Sequence, residues 1–405
     1  MAHDRLDPRC RPRRIGVFTA TRAEYGLLSG LLRQVARRRT LDLRLIVSGT
    51  HLSPEYGTTR EHVDADGFAA AATVEMVLSG DSPVAAAKSL GLAVMGVAEA
   101  LDRIRPDLLV VLGDRYEALA AAQAAVLLSV PIAHIGGGES SEGAMDESFR
   151  HAITKLAHLH FVAAAAFADR VVQLGEDPTH VHVAGALGVD NALHLPLLSR
   201  VELEAEIGMT LTRPTVLATF HPVTLAAGGM SGLDAVLTAL DRFPRATVAF
   251  TEPNADPRGR EIRHRVRAYA DARRPRVKVF TSLGPLRYLS LLSQCDVVVG
   301  NSSSGIIEAP ALGVPTVNVG DRQRGRLRPE SVLDAGEDAA DVEAAIARAL
   351  DPGFRERVRD ARALYGDGRA AERIGDVLAA APLGGLLRKR FHPVAVATTP
   401  SGAEA

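Results

Sequence analysis

The chain has no tryptophan and only two cysteines, Cys10 and Cys295, among its 405 residues. Two cysteines so far apart build no disulfide framework and lack metal-ligand spacing, so a reducing, cytoplasmic setting is expected. Charge of one sign is missing as well: 47 Lys and Arg stand against 48 Asp and Glu. That balance removes the basic footprint of a nucleic-acid binder or of a protein drawn to anionic membrane. The N-terminus up to Arg14 is basic but has no signal-peptide core, and no apolar stretch approaches the roughly 20 residues that span a bilayer. A soluble protein with small-molecule partners is the expectation.

What the chain does have is a rhythm. At the usual ~100–200 residues per domain, this length makes about two domains. Short β-branched runs at 15–19, 43–47, 108–112, 131–135, 159–162 and 180–183 alternate with Ala/Leu-rich helical stretches at 26–38, 83–104, 117–128, 147–156 and 166–174. This is the pattern of a parallel sheet with crossover helices. Residues 188–214 have no strand and read as an interdomain connection. A second series follows, with strands at 215–219, 246–251, 277–281, 297–300 and 316–319 and helices at 231–241, 256–272, 286–293, 304–312 and 339–350. The expected architecture is α/β: two Rossmann-like domains, 14–188 and 214–365, then a closing helix at 366–382 and a disordered tail at 383–405. Ligands in such sheets bind beyond the carboxyl ends of the strands.

The residues at those strand ends carry chemistry. Arg22 sits in a strand-to-helix turn, where a guanidinium beside free helix N–H groups suits a phosphate; a pair with Glu24 is the alternative. No G-x-G-x-x-G occurs there, which speaks against a dinucleotide cofactor. Asp114 ends the apolar run 108–113 and either faces the cleft or caps the next helix, with Glu117 three residues on. Glu139 follows a triple glycine at 136–138. Asp146 and Glu147 open a helix carrying Arg150, His151 and Lys155, where capping and a Glu147–His151 pair are the plain alternative. Acids from three successive loops gathered in one cleft would raise at least one pKa and prepare a general acid or base.

In the second half, the strand 215–219 leads to His221 at the cleft edge, a phosphate or leaving-group contact or else a structural histidine. Asn301-Ser302-Ser303-Ser304-Gly305 places three hydroxyls at a helix N-terminus, where N–H groups and the helix dipole receive a diphosphate. Glu308, one turn inside, can accept both ribose hydroxyls, and Arg322 belongs to a cationic loop that follows the next strand. His158 and His160 have strand alternation but no third ligand, so they read as structural and no metal is expected.

The motifs at 21–26 (Thr-Arg-Ala-Glu-Tyr-Gly), 113–117 (Gly-Asp-Arg-Tyr-Glu), 137–139, 146–155, 220–224, 301–308 and 320–326 resemble the hydrolysing UDP-N-acetylglucosamine 2-epimerases of sialic-acid and other nonulosonic-acid pathways. The likeness covers roughly 14–380. It implies a glycosyltransferase-B-like fold with the site in the interdomain cleft, a homodimer and no cofactor. The reaction it implies converts UDP-N-acetylglucosamine and water to N-acetylmannosamine and UDP, by elimination to a 2-acetamidoglucal and rehydration with inversion at C2. It implies catalytic roles for Asp114, Glu139, Asp146 and His221. Substrate binding would fall to Arg22, Glu147, Asn254, Tyr288, Ser302, Ser303, Ser304, Glu308 and Arg322. At one position the chain departs from the pattern: Gly136 stands where relatives carry an acid or a histidine, which passes acid–base work to Glu139. Related enzymes act on UDP-linked 2,4-diacetamido-trideoxyhexoses or on GDP-linked N-acetylglucosamine, and these motifs do not separate them. A retaining glycosyltransferase of the same fold, which needs an acceptor, and a sugar-nucleotide-binding module, which needs no acids, are the competing classes.

Overall fold

The computed structural model describes residues 11–54, 59–80, 82–142, 144–222, 230–253, 259–359 and 364–394. Strands β1 (Arg13–Thr19), β2 (Leu41–Ser48), β3 (Ala70–Val74), β4 (Leu108–Leu112), β5 (Ile132–Ile135), β6 (Leu159–Val162) and β7 (Val181–Val183) form one parallel sheet in the order β3-β2-β1-β4-β5-β6-β7. Strands β8 (Thr215–Thr219), β9 (Thr247–Thr251), β10 (Val277–Phe280), β11 (Val297–Gly300), β12 (Thr316–Val319) and β13 (Val332–Ala335) form a second, β10-β9-β8-β11-β12-β13. Each half is doubly wound. The strand order reverses between β1 and β4 and again between β8 and β11, and a crevice opens at such a reversal beyond the strand ends. The loops after β1, β8 and β11 line the crevice between the two halves.

Helices cover both faces of the first sheet, so its strands are apolar on both sides. Val17 packs with Leu28, Leu32 and Leu45, and the next residue, Phe18, with Ile46, Val111 and Ala121 on the opposite face. Two edge strands escape the sequence pattern, β3 with the sequence AAATV and β13 with VLDA. Alanine and aspartate carry little β preference, so pairing with a formed neighbour defines these strands.

Residues 188–214 contain no strand but two helices, Leu187–His194 and Arg200–Ile207, the second opened by a Ser199–Glu202 capping box. The last helix, Ala370–Ala380, returns to the first domain: Asp190 accepts from the Ala370 and Ala371 amides at 2.9 and 2.7 Å, and Ile374 and Leu378 enter the first core.

Two sequence expectations are corrected. Helix Pro83–Ile104 is long and apolar enough, by length and composition, to cross a membrane. Its buried face, Ala93, Val97 and Leu101, packs onto the first sheet's core instead. The tail is not disordered throughout, because 383–394 lies on the first domain. Leu386 is buried there, the Lys389 ammonium donates to the Lys155 and Ala157 carbonyls and pairs with Glu176 at 2.6 Å, and Phe391 lies on Gly175. Residues 395–405 lie outside the described residues.

Candidate active site

Helix Arg22–Arg37 begins where β1 ends, and Thr21 and Glu24 close its first turn as a capping box. Glu24 spends one oxygen on the Ala20 and Thr21 amides, at 2.8 and 3.2 Å, and so does not pair with Arg22. Arg22 makes no hydrogen bond or ion pair among the described residues, and burial, then neighbouring Arg287, hold its pKa below the usual guanidinium value. A desolvated cation with no counter-charge among those residues, on the first turn of a helix, is an anion site.

Facing it across the cavity are the loops after β8 and β11. Asn301 is fully buried and binds the His221 backbone through both ends of its side-chain amide. Its carbonyl takes hydrogen bonds from Arg322 and Gln323, each at 3.0 Å. Ser303 precedes the helix Ser304–Ala311 without capping it, and the Tyr288 hydroxyl donates to Ser304 Oγ at 2.8 Å. Glu308 projects one turn in. Burial raises its pKa, and its Oε2 is buried with no hydrogen-bond partner among the described residues. A cavity between the domains is lined by Arg22, His221, Tyr288, Ser302, Ser303, Ser304, Glu308 and Arg322 together.

Other lining residues had not been singled out from the sequence. They include Asn191, Gly188, Thr219, Thr251 and the turn 281–285, Thr-Ser-Leu-Gly-Pro, after β10. That turn repeats the hydroxyl-rich strand-to-helix signature of 301–305 and was open to the same reasoning. Asn191 comes from a helix inside the expected connection, where no motif marks it. Asn254 lies outside the described residues.

The first domain's candidate acids do not line this cavity; they gather in a neighbouring cluster that an arginine organises. Arg150, with 1% of its side chain exposed, is bound to Asp114 through Nη2, reaches Glu147 Oε2 at 2.6 Å, and donates to the Glu139 carbonyl at 3.1 Å and to Ser141 Oγ at 2.8 Å. Asp114 does not cap its helix, whose N-cap is Arg115, and Glu117 pairs with Arg115 instead. Glu147 also takes the Ser141 amide at 2.5 Å, the Ser140 hydroxyl at 3.0 Å and His151 Nε2 at 3.1 Å. Asp146 opens the same helix, half-buried.

Clustering was expected to raise at least one of these pKa values. Asp114 and Glu147 both go the other way. Burial alone would raise Asp114, but Arg150 and Arg326 outweigh it and hold the carboxyl below the usual range. Glu147 is likewise opposed by burial, yet His151, the Ser141 amide and Arg150 hold it at about 2. A cation between two carboxylates reverses the sign that like charges alone would give. Asp114 and Glu147 are thus held as charged acceptors. The fully buried His134 donates from Nε2 to the Gly113 carbonyl at 2.8 Å and meets the Thr154 hydroxyl through Nδ1 at 3.2 Å, and burial lowers its pKa to about 3, so it is a neutral support beneath Asp114.

At position 136 the backbone has φ of +92° and no side chain, and an added Cβ would lie 3.8 Å from Gly113. The turn beside Asp114 therefore brings no acid of its own. Glu139 is the next one along, and its Oε2 lies 2.7 Å from Arg326 of the second domain.

A family model described as UDP-N-acetylglucosamine 2-epimerase matches residues 33–379. The GDP/UDP-N,N'-diacetylbacillosamine 2-epimerase (hydrolyzing) of Campylobacter jejuni is 36% identical over 80% of this chain and 84% of its own. A UDP-N,N'-diacetylbacillosamine 2-epimerase (hydrolyzing) of Legionella pneumophila is 33% identical over 92% of this chain and 97% of its own. Among solved structures, UDP-GlcNAc 2-epimerase from Neisseria meningitidis bound to UDP-GlcNAc shares the fold with a TM-score of 0.77, at 17% identity over 90% of this chain and 99% of that one.

Proposed function

The chain belongs to the hydrolysing UDP-N-acetylglucosamine 2-epimerase family, and we propose that it releases UDP from a UDP-linked 2-acetamido sugar and returns the free sugar epimerised at C2. The observation that carries this reading is an anion site, Arg22 with the serine loop, on the cavity between the domains, beside a cluster of carboxylates ordered by Arg150 and linked to it through Arg326, whose charge reaches both Asp114 and Glu308.

In this reading Arg22, His221, Ser302, Ser303 and Arg322 receive the diphosphate, and the unpartnered Glu308 oxygen accepts from the ribose hydroxyls. Tyr288 braces Ser304 from beneath. As the C1–O bond to UDP breaks, positive charge builds at C1 and acidifies the C2 proton. An ionised carboxylate takes that proton, and the electron pair of the C2–H bond becomes the C1–C2 double bond of a 2-acetamidoglucal. Asp114, held ionised, is the base. Water then adds its oxygen to C1, while a proton reaches C2 from the opposite face. Glu139 and Asp146 serve this second half, and Glu147 orients Arg150.

UDP-N-acetylglucosamine is the substrate we favour, giving N-acetylmannosamine. A UDP-linked 2,4-diacetamido-trideoxyhexose is the second reading, favoured by likeness to the Campylobacter and Legionella enzymes. Incubating the protein with each sugar nucleotide in deuterium oxide, without an acceptor, decides between them. The productive substrate yields UDP and a free 2-epimeric sugar deuterated at C2. Release of UDP only when an acceptor is added would point to a glycosyltransferase and defeat the proposal. A homodimer belongs to the same reading, and Val84, Leu92 and Met95, exposed on the helix Pro83–Ile104, offer it an apolar face. Light scattering tests that part.

A further inference from the structure

The loop after β12 reaches from one domain into the other. Its start belongs to the nucleotide side, where Arg322 and Gln323 hold the Asn301 carbonyl. A few residues on, Arg326 Nη1 stands 2.7 Å from Glu139 Oε2, with side-chain exposures of 8% and 11%. Backbone fit enforces the approach. Gly325 has φ of +86°, and a Cβ there would lie 2.6 Å from Ser140 Oγ, so no larger residue passes. The Glu142 amide donates to the Arg324 carbonyl at 3.3 Å, and Arg170 donates to the carbonyls of Gly138 and Gly325, at 3.2 and 3.5 Å, tying the two loops together.

Surface ion pairs are common and weak, but this one is withdrawn from water, where an unpaired charge is expensive. Its geometry is also incomplete. Among the described residues Arg326 Nε and Nη1 are buried without an aligned hydrogen bond, so the contact with Glu139 is one of charge, and donor capacity is left over. The same guanidinium is felt by Asp114 and by Glu308, which places it between the carboxylate cluster and the nucleotide pocket.

We propose that Arg326 is a positioning residue that couples the two halves: anchored on the nucleotide-side loop, it sets the aim of Glu139, so the acid–base machinery is complete only when the domains are closed. This rests on the epimerase reading and deepens it. The groups facing Glu139 are Arg326 from the β12 loop, Arg150 from the helix Asp146–Leu156, Glu308 from the helix Ser304–Ala311 and Tyr365. Arg326 is in direct contact with the carboxylate, so removing it frees the Glu139 side chain to turn away.

The test uses the full chain with its productive sugar nucleotide and the variants Arg326→Met, Arg326→Lys, Glu139→Gln and the double variant Arg326→Met/Glu139→Gln. For Arg326→Met, kcat is expected to fall about 100-fold, the scale of a mispositioned acid–base group, with KM little changed. UDP affinity measured by calorimetry is expected to hold. Arg326→Lys keeps the charge without the fork and should recover only part of kcat. The double variant should be no slower than Glu139→Gln alone. An unchanged kcat in Arg326→Met, multiplicative losses in the double variant, or a defect confined to UDP affinity would each overturn the proposal. Should Arg326→Met fail to fold, kcat and KM of Arg326→Lys against those of Arg326→Gln make the same comparison. Failure of the wild-type protein to turn over any UDP-linked 2-acetamido sugar overturns the epimerase reading itself, and is seen before any variant is made.

Discussion

Asn301 and His221 exchange two hydrogen bonds: the His221 amide donates to Asn301 Oδ1 at 2.7 Å, and Asn301 Nδ2 donates to the His221 carbonyl at 2.9 Å. A side-chain amide thus continues the pairing of β8 with β11 past the last residues of both strands. Replacing Asn301 by alanine removes both of these hydrogen bonds from the His221 backbone, each at about 1–2 kcal/mol. The variant is expected to lose roughly 2–4 kcal/mol in denaturant titrations and to bind UDP more weakly, because this side chain holds the His221 loop that lines the cavity. Wild-type stability would show that the amide is not what holds the two loops.

Asp114→Asn preserves shape but removes the charge that faces Arg150. Turnover should fall at least about 100-fold, while UDP affinity, governed by the cavity residues, stays as it was. Steady-state kinetics paired with calorimetry measures both. Undiminished turnover would remove Asp114 from the reaction.

Glu24 and Glu147 give stability opposite dependences on pH. Burial, then the neighbouring Glu117, lift Glu24 from 4.5 to about 7. The folded chain therefore holds this proton more tightly, and the associated stability is full below pH 4.5 and lost as pH rises through 7. Glu147 is depressed from 4.5 to about 2, so its contribution is present above 4.5 and lost as pH falls through 2. Glu24→Gln should flatten the denaturation midpoint between pH 4.5 and 7, and Glu147→Gln should flatten it on the acid side of 4.5. Curves parallel to wild type in both variants would show that neither carboxyl is perturbed.

Ending the chain at Pro382 removes Lys389 and Phe391. Glu176, with 2% of its side chain exposed, would keep Lys155 and His160 but lose its second ammonium. Thermal melting should fall by roughly 1–3 °C, about the shift expected from 1–2 kcal/mol in a protein of this size. An unshifted melting temperature would mean that 383–394 rests on the surface without holding it.

Much of the fold was legible because it is written locally. Alternating β-branched runs and Ala-rich helices gave eleven of the strands their places, and the strand-end rule put His221 and Ser302 on the cavity between the domains. The strands β3 and β13 were not legible, since their alanines and aspartate become extended only beside a formed neighbour. The packing of 383–394 escaped for a similar reason: without periodicity, nothing in the segment announces that Glu176 and Gly175 await it.

By itself the sequence determined which residues stand at strand ends and which begin helices, because hydrophobic period and capping act over a few residues. It also supplied the family's motifs in order. Only the tertiary structure decided what the acids do to one another. Whether Asp114 and Glu147 repel or share a cation depends on where the buried Arg150 points, and whether Glu139 meets Arg326 depends on how two separately folded sheets close. Charge interactions vary with distance and burial rather than with position along the chain, so their sign was fixed only when the chain was folded.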